Sequence, residues 1–347
     1  MSFWKKLPKP FFCLAPLADV TDPAYRRVIA KYGKPDVMWT EFVSADGLFK
    51  GGYDALIKDL AYTEEERPIV AQFFSKDPNI MRQAGKLAAE LGFDGVDINM
   101  GCPDANVCKQ GAGAAIIKNP KLARELIRAT KEGVREAGST IPVSVKTRSG
   151  FNEDEIETWI PELLKEKPAA LTLHARTKKD MSKVPARWDL VARAVELRDK
   201  ISPETLIIGN GDVLDMDDAR TKAKATGCDG VMFGRAIFGN PWLFANLARE
   251  NRDNKIEHPP KFSLSFVALA KKEAKEEGRP NFHTRLRVLL EHLNLFAELL
   301  PHKAFAIMKK HFKSYLQGDG YQKPLLLELM EARNTEEARQ ILERELA

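Results

Sequence analysis

The stretch DGVDINMGCPDANVCKQGAGAAI, residues 94–116, decides how the rest of the chain is read. It begins as a strand: apolar Val96 and Ile98 alternate with polar Asp97 and Asn99, the period of two that places alternate side chains on opposite faces. Within one residue it changes character, running through Gly101, Cys102 and Pro103 into a tail where Gly111 and Gly113 allow a close-turning loop. A thiol one residue past a glycine, at the end of a strand, is the feature to be explained.

The same kind of segment recurs on both sides. Candidate strands are FFCLAPLA from 11, DVMWTEFVS from 36, PIVAQFF from 68, GVDINMG from 95, PVSVKTRSG from 142, ALTLHART from 170, TLIIGNGDV from 205 and GVMFGRAI from 230. Each is followed by enough chain for a helix, which predicts an α/β fold of the (β/α)8 TIM-barrel kind over residues 1–245. An open doubly wound sheet is the alternative, but no strand is followed by the G-x-G-x-x-G turn of a dinucleotide fold. Beyond, NRDNKIEHPPKFS (251–263) reads as a linker, and helices are predicted at 263–277, 282–299, 302–316, 324–332 and 335–346. Residues 246–347 are therefore expected to form a small helical bundle domain.

A chain of 347 residues, 44% hydrophobic and 30% charged, can build a large core. No apolar run approaches the roughly 18 residues of a membrane span, and MSFWKKLPKPFF lacks the features of a secretory signal, so the protein reads as cytoplasmic. It is expected to be a monomer. Cys13, Cys102, Cys108 and Cys228 show no C-x-x-C spacing, which predicts free thiols and no metal. A net charge of +5 suits a polyanionic partner without requiring one.

The polar residues gather at strand ends: Asp19 and Asp22, Gln72, Asn99 and Cys102, Lys146 and Arg148, His174 and Arg176, Asn210 and Asp212, and Arg235. In a barrel these ends share one face, where catalytic residues come from several strands. Ser144, Lys146 and Arg148 share one face of their strand, and a buried ammonium there needs an anionic ligand or a carboxylate. GNGDV at 209 and FGRAI at 233, with Gly211, Gly234 and Arg235, suit a phosphate at the last two strands. A flavin mononucleotide (FMN) fits this inventory, with Gln72 and Asn99 as amides for the ring. Cys108 shares the loop of Cys102 and is its rival for any thiol chemistry.

LAPLADVTDPAYR, VAQFF, DINMGCP, GAGAAI, VSVKTRSG, LHART, GNGDV, FGRA and MKKHFKSYLQG together resemble the tRNA-dihydrouridine synthase family over nearly the whole chain. The resemblance implies an FMN enzyme that takes electrons from NADPH and reduces the C5=C6 bond of uridines in tRNA. It implies that Cys102 gives a proton to C5 while flavin N5 gives hydride to C6, with Asn99 and Arg148 holding the uracil and Arg176 on the substrate side. Gln72 and Lys146 would hold the flavin ring, His174 would lie beside it, and Pro16 and Leu17 would supply backbone beneath it. Asn210, Gly211, Asp212, Gly234 and Arg235 would surround the phosphate. Two departures stand out: Leu17 and Asp19 replace the usual Met and Gly, and KKDMSKVPARW after HART lacks the usual tyrosine and glycine. In the second domain HKAFAIMKKHFKSYLQG, from 302, carries Lys303, Lys309, Lys310 and Lys313 with His302 and His311 and no acid, a phosphate-backbone track in this context. Two other readings stay open: an FMN barrel acting on a small molecule, like dihydroorotate dehydrogenase, and a non-catalytic RNA-binding protein.

Overall fold

The computed structural model describes residues 2–245, 247, 264–277 and 279–347. Eight strands are present: β1 Phe11–Leu14, β2 Met38–Ser44, β3 Ile69–Phe74, β4 Gly95–Met100, β5 Val143–Gly150, β6 Ala170–Thr177, β7 Leu206–Asn210 and β8 Gly230–Phe233. All pair in parallel, in the order β1, β8, β7, β6, β5, β4, β3, β2. The two ends of that order meet, because the Leu14 N–H donates to the Val37 carbonyl at 3.1 Å and Cys13 bridges Val37. The sheet is thus a closed TIM barrel, as the strand spacing predicts.

Helices alternate with the strands: α1 Pro23–Gly33, α2 Pro78–Glu90, α3 Pro120–Glu136, α4 Ile156–Leu164, α5 Asp189–Ile201 and α6 Met216–Thr226. Short turns between Ala45 and Leu60 replace a regular helix after β2. The first three begin alike, with a capping side chain before a proline: Asp22 accepts from the Tyr25 N–H, Asp77 from Asn79 and Asn119 from Leu122. Proline suits this first position because its missing N–H would have no helical partner there. Strands β7 and β8 stop earlier than predicted. After Asn210 the backbone turns to positive φ at Gly211 (125°) and Asp212 (47°), which takes the chain out of the sheet.

The barrel interior is apolar at its N-terminal end. Trp4 packs on Phe11 and Trp39, with ring centroids 5.5 and 6.0 Å away, in a cluster that includes Cys13, Val37, Val70, Ala170, Ile208 and Met232. Each such large buried side chain contributes roughly 1.5–3 kcal/mol.

The described residues divide into two compact units, one of 1–17, 36–60 and 67–234, the other of 18–35, 61–66 and 235–347. The second unit therefore includes α1 together with α7 Leu264–Glu277, α8 Phe282–Leu299, α9 Ala306–Leu316, α10 Lys323–Glu331 and α11 Thr335–Leu346. Its segments are tied by a fully buried pair, Arg26 Nε to Glu66 Oε2 at 2.7 Å, and by Lys31 and Tyr32 on α1, which both donate to Glu291 on α8 at 2.6 Å. Removing one partner of a pair buried like Arg26 and Glu66 costs about 3–5 kcal/mol. The helix predicted from 302 begins at Ala306, because His302 and Lys303 lie in a turn closed by the Lys303 N–H on the Leu300 carbonyl at 2.9 Å. The predicted linker at 251–263, and with it the helix start at 263, lies outside the described residues, as does position 246 where the second domain was expected to begin. Among the described residues no helix is long and apolar enough to cross a membrane.

Candidate active site

Strand register brings the predicted polar residues onto one inward face. Gln72 on β3 sits opposite Asp97 on β4, Asp97 opposite Ser144 on β5, and Asn99 opposite Lys146. Arg148 is opposite His174 on β6, and His174 opposite Asn210 on β7. Because side chains alternate, residues two apart on these strands point the same way.

Cys102 hangs from this face. The Asn99 Oδ1 accepts the backbone N–H of Gly101 at 3.0 Å and of Cys102 at 2.8 Å, while the Cys102 carbonyl accepts the Ala114 N–H at 3.0 Å. The Cys108 thiol donates to that same carbonyl at 3.5 Å. Gly113, at φ 58°, is required here, since a Cβ would lie 2.9 Å from the Cys102 carbonyl oxygen. Half-buried against Phe74, Val107 and Ala112, the Cys102 thiol is pushed above its usual pKa, chiefly by burial. It is a protonated thiol at neutral pH.

Lys146 Nζ donates to the neutral Asn210 Oδ1 at 3.3 Å, and Asn210 is held in that orientation by its own N–H on the Met232 carbonyl at 2.8 Å. Burial lowers the Lys146 pKa to about 8, with the Arg148 charge adding to the effect. Among the described residues no carboxylate stands within ion-pair distance of this ammonium, a donor set that fits an anionic group. A Cβ placed on Gly234 would meet nothing within 4 Å, so packing does not demand glycine there, whereas Gly211 is demanded by its φ and by Ala186 2.8 Å away. Pro16, buried, and Leu17, packed on the inner cluster, follow β1 after Ala15.

The two arginines are more heavily engaged than their placement at strand ends suggests. Arg148 donates through Nε to the Gly101 carbonyl at 2.8 Å and through Nη1 to the carbonyls of Thr177 and Met181 at 3.0 Å. Arg176 donates to the Val184 carbonyl at 2.6 Å, meets His174 Nε2 at 3.2 Å and pairs with Asp212, whose carboxylate also accepts the Ala186 N–H at 2.9 Å. Together they pin the segment KKDMSKVPARW, the one that departs from the family pattern, by its backbone.

Four other predicted positions belong to the second unit. Asp22 is the N-cap of α1 and Asp19 pairs with Lys310 at 3.0 Å, both within the second unit. Arg235 is exposed and opens a short turn assigned to that unit. His311 corrects the picture of a basic track: it is buried, and burial drives its pKa down to about 3, so it is a neutral core residue. On the same helix Lys313 is exposed, Lys309 donates to the Met330 carbonyl at 2.7 Å and Lys310 meets Asp19.

Sequence reasoning gave Asp97 no role. It is fully buried and central, accepting from Gln72 Nε2 at 2.6 Å and from the Ser144 hydroxyl, with a pKa raised to about 6 by burial against the pull of Ser144, Gln72 and Lys146. The signal was available: an acid two residues before Asn99 shares its face.

The chain matches the family model described as "Dihydrouridine synthase (Dus)" over residues 13–346. It is 37% identical to "Probable tRNA-dihydrouridine synthase 2" of Bacillus subtilis (strain 168) over 344 residues, 99% of this chain and 96% of that one. It is equally 37% identical to "Probable tRNA-dihydrouridine synthase" of Staphylococcus aureus (strain COL), covering 99% and 95% of the two chains. Among solved structures, histamine dehydrogenase from Rhizobium sp. 4-9 aligns over 82% of this chain and 48% of its own, at 14% identity and a TM-score of 0.47. With a family model spanning nearly all of it and relatives at this identity over nearly their whole length, the chain belongs to the dihydrouridine synthase family.

Proposed function

We propose that this protein reduces uridine in tRNA to 5,6-dihydrouridine, using FMN reduced by NADPH, with Cys102 as the acid that protonates uracil C5. The observation that carries this reading is the Cys102 thiol, half-buried, protonated and suspended by its backbone from Asn99 on the inward polar face. Bound FMN would supply the hydride. The residues of the chain do the rest. Lys146 offers a cation with a neutral partner to the anionic edge of the ring, Gln72 offers the N–H it does not spend on Asp97, and Gly234 leaves backbone open to a phosphate. Asn99 spends its oxygen on the Cys102 loop, so toward uracil it offers only an N–H. Arg148 spends three donors on backbone carbonyls and keeps Nη2 for the base. A thiol kept neutral by burial suits proton delivery to carbon better than a thiolate would. Residues 1–245 would then form the catalytic domain and 246–347 a helical tRNA-binding domain, with Lys309, Lys310 and Lys313 near the phosphate backbone.

The test is to incubate the purified protein with unmodified tRNA and NADPH and map dihydrouridine position by position. New dihydrouridine at defined sites supports the reading. Flavin reoxidised by a free pyrimidine but not by tRNA would favour the small-molecule enzyme, and RNA binding without flavin would favour the non-catalytic one.

A further inference from the structure

We propose that Asp97 is a positioning residue for the acid thiol, acting through Gln72 and Asn99 to fix the loop backbone that carries Cys102. Four links connect them in series: Ser144 hydroxyl to Asp97, Gln72 Nε2 to Asp97 at 2.6 Å, Asn99 Nδ2 to Gln72 Oε1 at 3.1 Å, and the Gly101 and Cys102 N–H groups to Asn99 Oδ1. The direction of every link is forced from both ends. Backbone N–H groups can only donate, so Asn99 must turn its oxygen to the loop and its nitrogen to Gln72. Gln72 must then meet that nitrogen with its oxygen, which leaves its own nitrogen facing Asp97. An ionised carboxylate only accepts, and so closes the series. Both amides are thereby held in one orientation of two, and the side chains of Ser144, Asp97, Gln72 and Asn99 are buried, where a misdirected donor costs the full desolvation of the group.

This extends the reading of Cys102 as the acid and rests on it. Protonating Asp97 removes the charge that draws in the Gln72 N–H, and a proton on the oxygen facing Gln72 would set an O–H against that N–H and undo the direction of the series. The groups facing the carboxylate are Gln72 from β3, Ser144 and Lys146 from β5 and Trp39 from β2. Its pKa near 6 puts that event within reach of an ordinary pH profile.

The test uses FMN-loaded Asp97→Ala, Asp97→Asn and Ser144→Ala. Asp97→Ala should slow flavin reoxidation by tRNA about 10- to 100-fold, a range below that of a missing acid. Asp97→Asn carries one acceptor and one donor, as the protonated acid does, and should run across the whole profile at the rate the parent reaches at low pH, above that of Asp97→Ala. The parent's rate should fall as pH drops through about 6, Asp97→Asn should lose that limb, and Ser144→Ala, which removes a donor to the carboxylate, should move it upward. Independently of catalysis, mass-mapped alkylation should show the Cys102 to Cys108 labelling ratio changed several-fold in Asp97→Ala. If Asp97→Ala does not fold, the pH limbs of the other two variants decide. An acid limb retained in Asp97→Asn and unmoved in Ser144→Ala, or a parental labelling ratio in a folded Asp97→Ala, overturns the proposal. Failure of the acid assignment itself would instead appear as a normal rate in Cys102→Ala, with the labelling arm unaffected.

Discussion

Two buried polar clusters in this molecule are built on opposite terms. In the barrel, Asp97, Gln72, Asn99 and the Cys102 backbone form a directed series in which each donor meets an acceptor. In the helical unit, Tyr25 stacks on His292 at 4.7 Å and meets His311 edge-on at 4.8 Å, but His292 Nε2 and both ring nitrogens of His311 have no hydrogen-bond partner among the described residues. Burial shifts titration in both places, raising Asp97 to about 6 and lowering His311 to about 3. A perturbed pKa therefore does not by itself mark a reactive site. What separates the clusters is direction: one positions a thiol, while the other uses imidazole as a neutral aromatic plate.

After loss of the thiol itself, the largest effect expected on the catalytic side is that of Lys146→Ala. Removing a cation whose bonded partner, Asn210, is neutral should cost roughly 100-fold in flavin reduction by NADPH or strip FMN on desalting, as loss of a preorganised electrostatic group does. Unchanged FMN content with an unchanged reduction rate would remove Lys146 from the account.

The histidine cluster should respond to acid. Both histidines titrate below the usual value when folded, and near 6.5 when unfolded, so their contribution to stability is complete above about pH 6.5 and is lost as pH falls toward the folded values. The expected loss is about 1.4 kcal/mol per pH unit for each histidine, a tenfold change in the unfolding equilibrium. His311→Phe should flatten the acid side of the thermal unfolding curve, and an equally steep curve would show that His311 is hydrated or partnered.

The smallest effect belongs to the exposed face of α9. Neutralising Lys309, Lys310 and Lys313 should weaken tRNA binding severalfold and make its salt dependence shallower by about one to two units. The change should fall short of three full contacts, because Lys309 and Lys310 already have protein partners. An unaltered slope would make this an ordinary solvated face.

Periodicity alone located the eight strands, because alternation and strand-end polarity are local properties of the chain. It also placed Gln72, Asn99, Lys146, His174 and Asn210 correctly on one face, since that face follows from counting by two. Partnership was not legible. That Arg148 and Arg176 spend their donors on the carbonyls of Thr177, Met181 and Val184 depends on how an irregular loop folds back, which no period encodes. His311 was misread because a helix of period 3.6 carries both faces in one run of letters, so a buried histidine stands beside exposed lysines. That α1 joins the second unit is likewise a tertiary fact, invisible in a segment that reads as an ordinary barrel helix.

The central claim is that the thiol suspended from Asn99 gives the proton, and single-turnover reoxidation of reduced enzyme by unmodified tRNA tests it most directly. Cys102→Ala should accept electrons from NADPH at a near-normal rate and yet pass them to tRNA roughly 100- to 10,000-fold more slowly, while Cys108→Ala, in the same loop, should match the parent. Reoxidation of Cys102→Ala at the parental rate, or the defect appearing in Cys108→Ala instead, would contradict it.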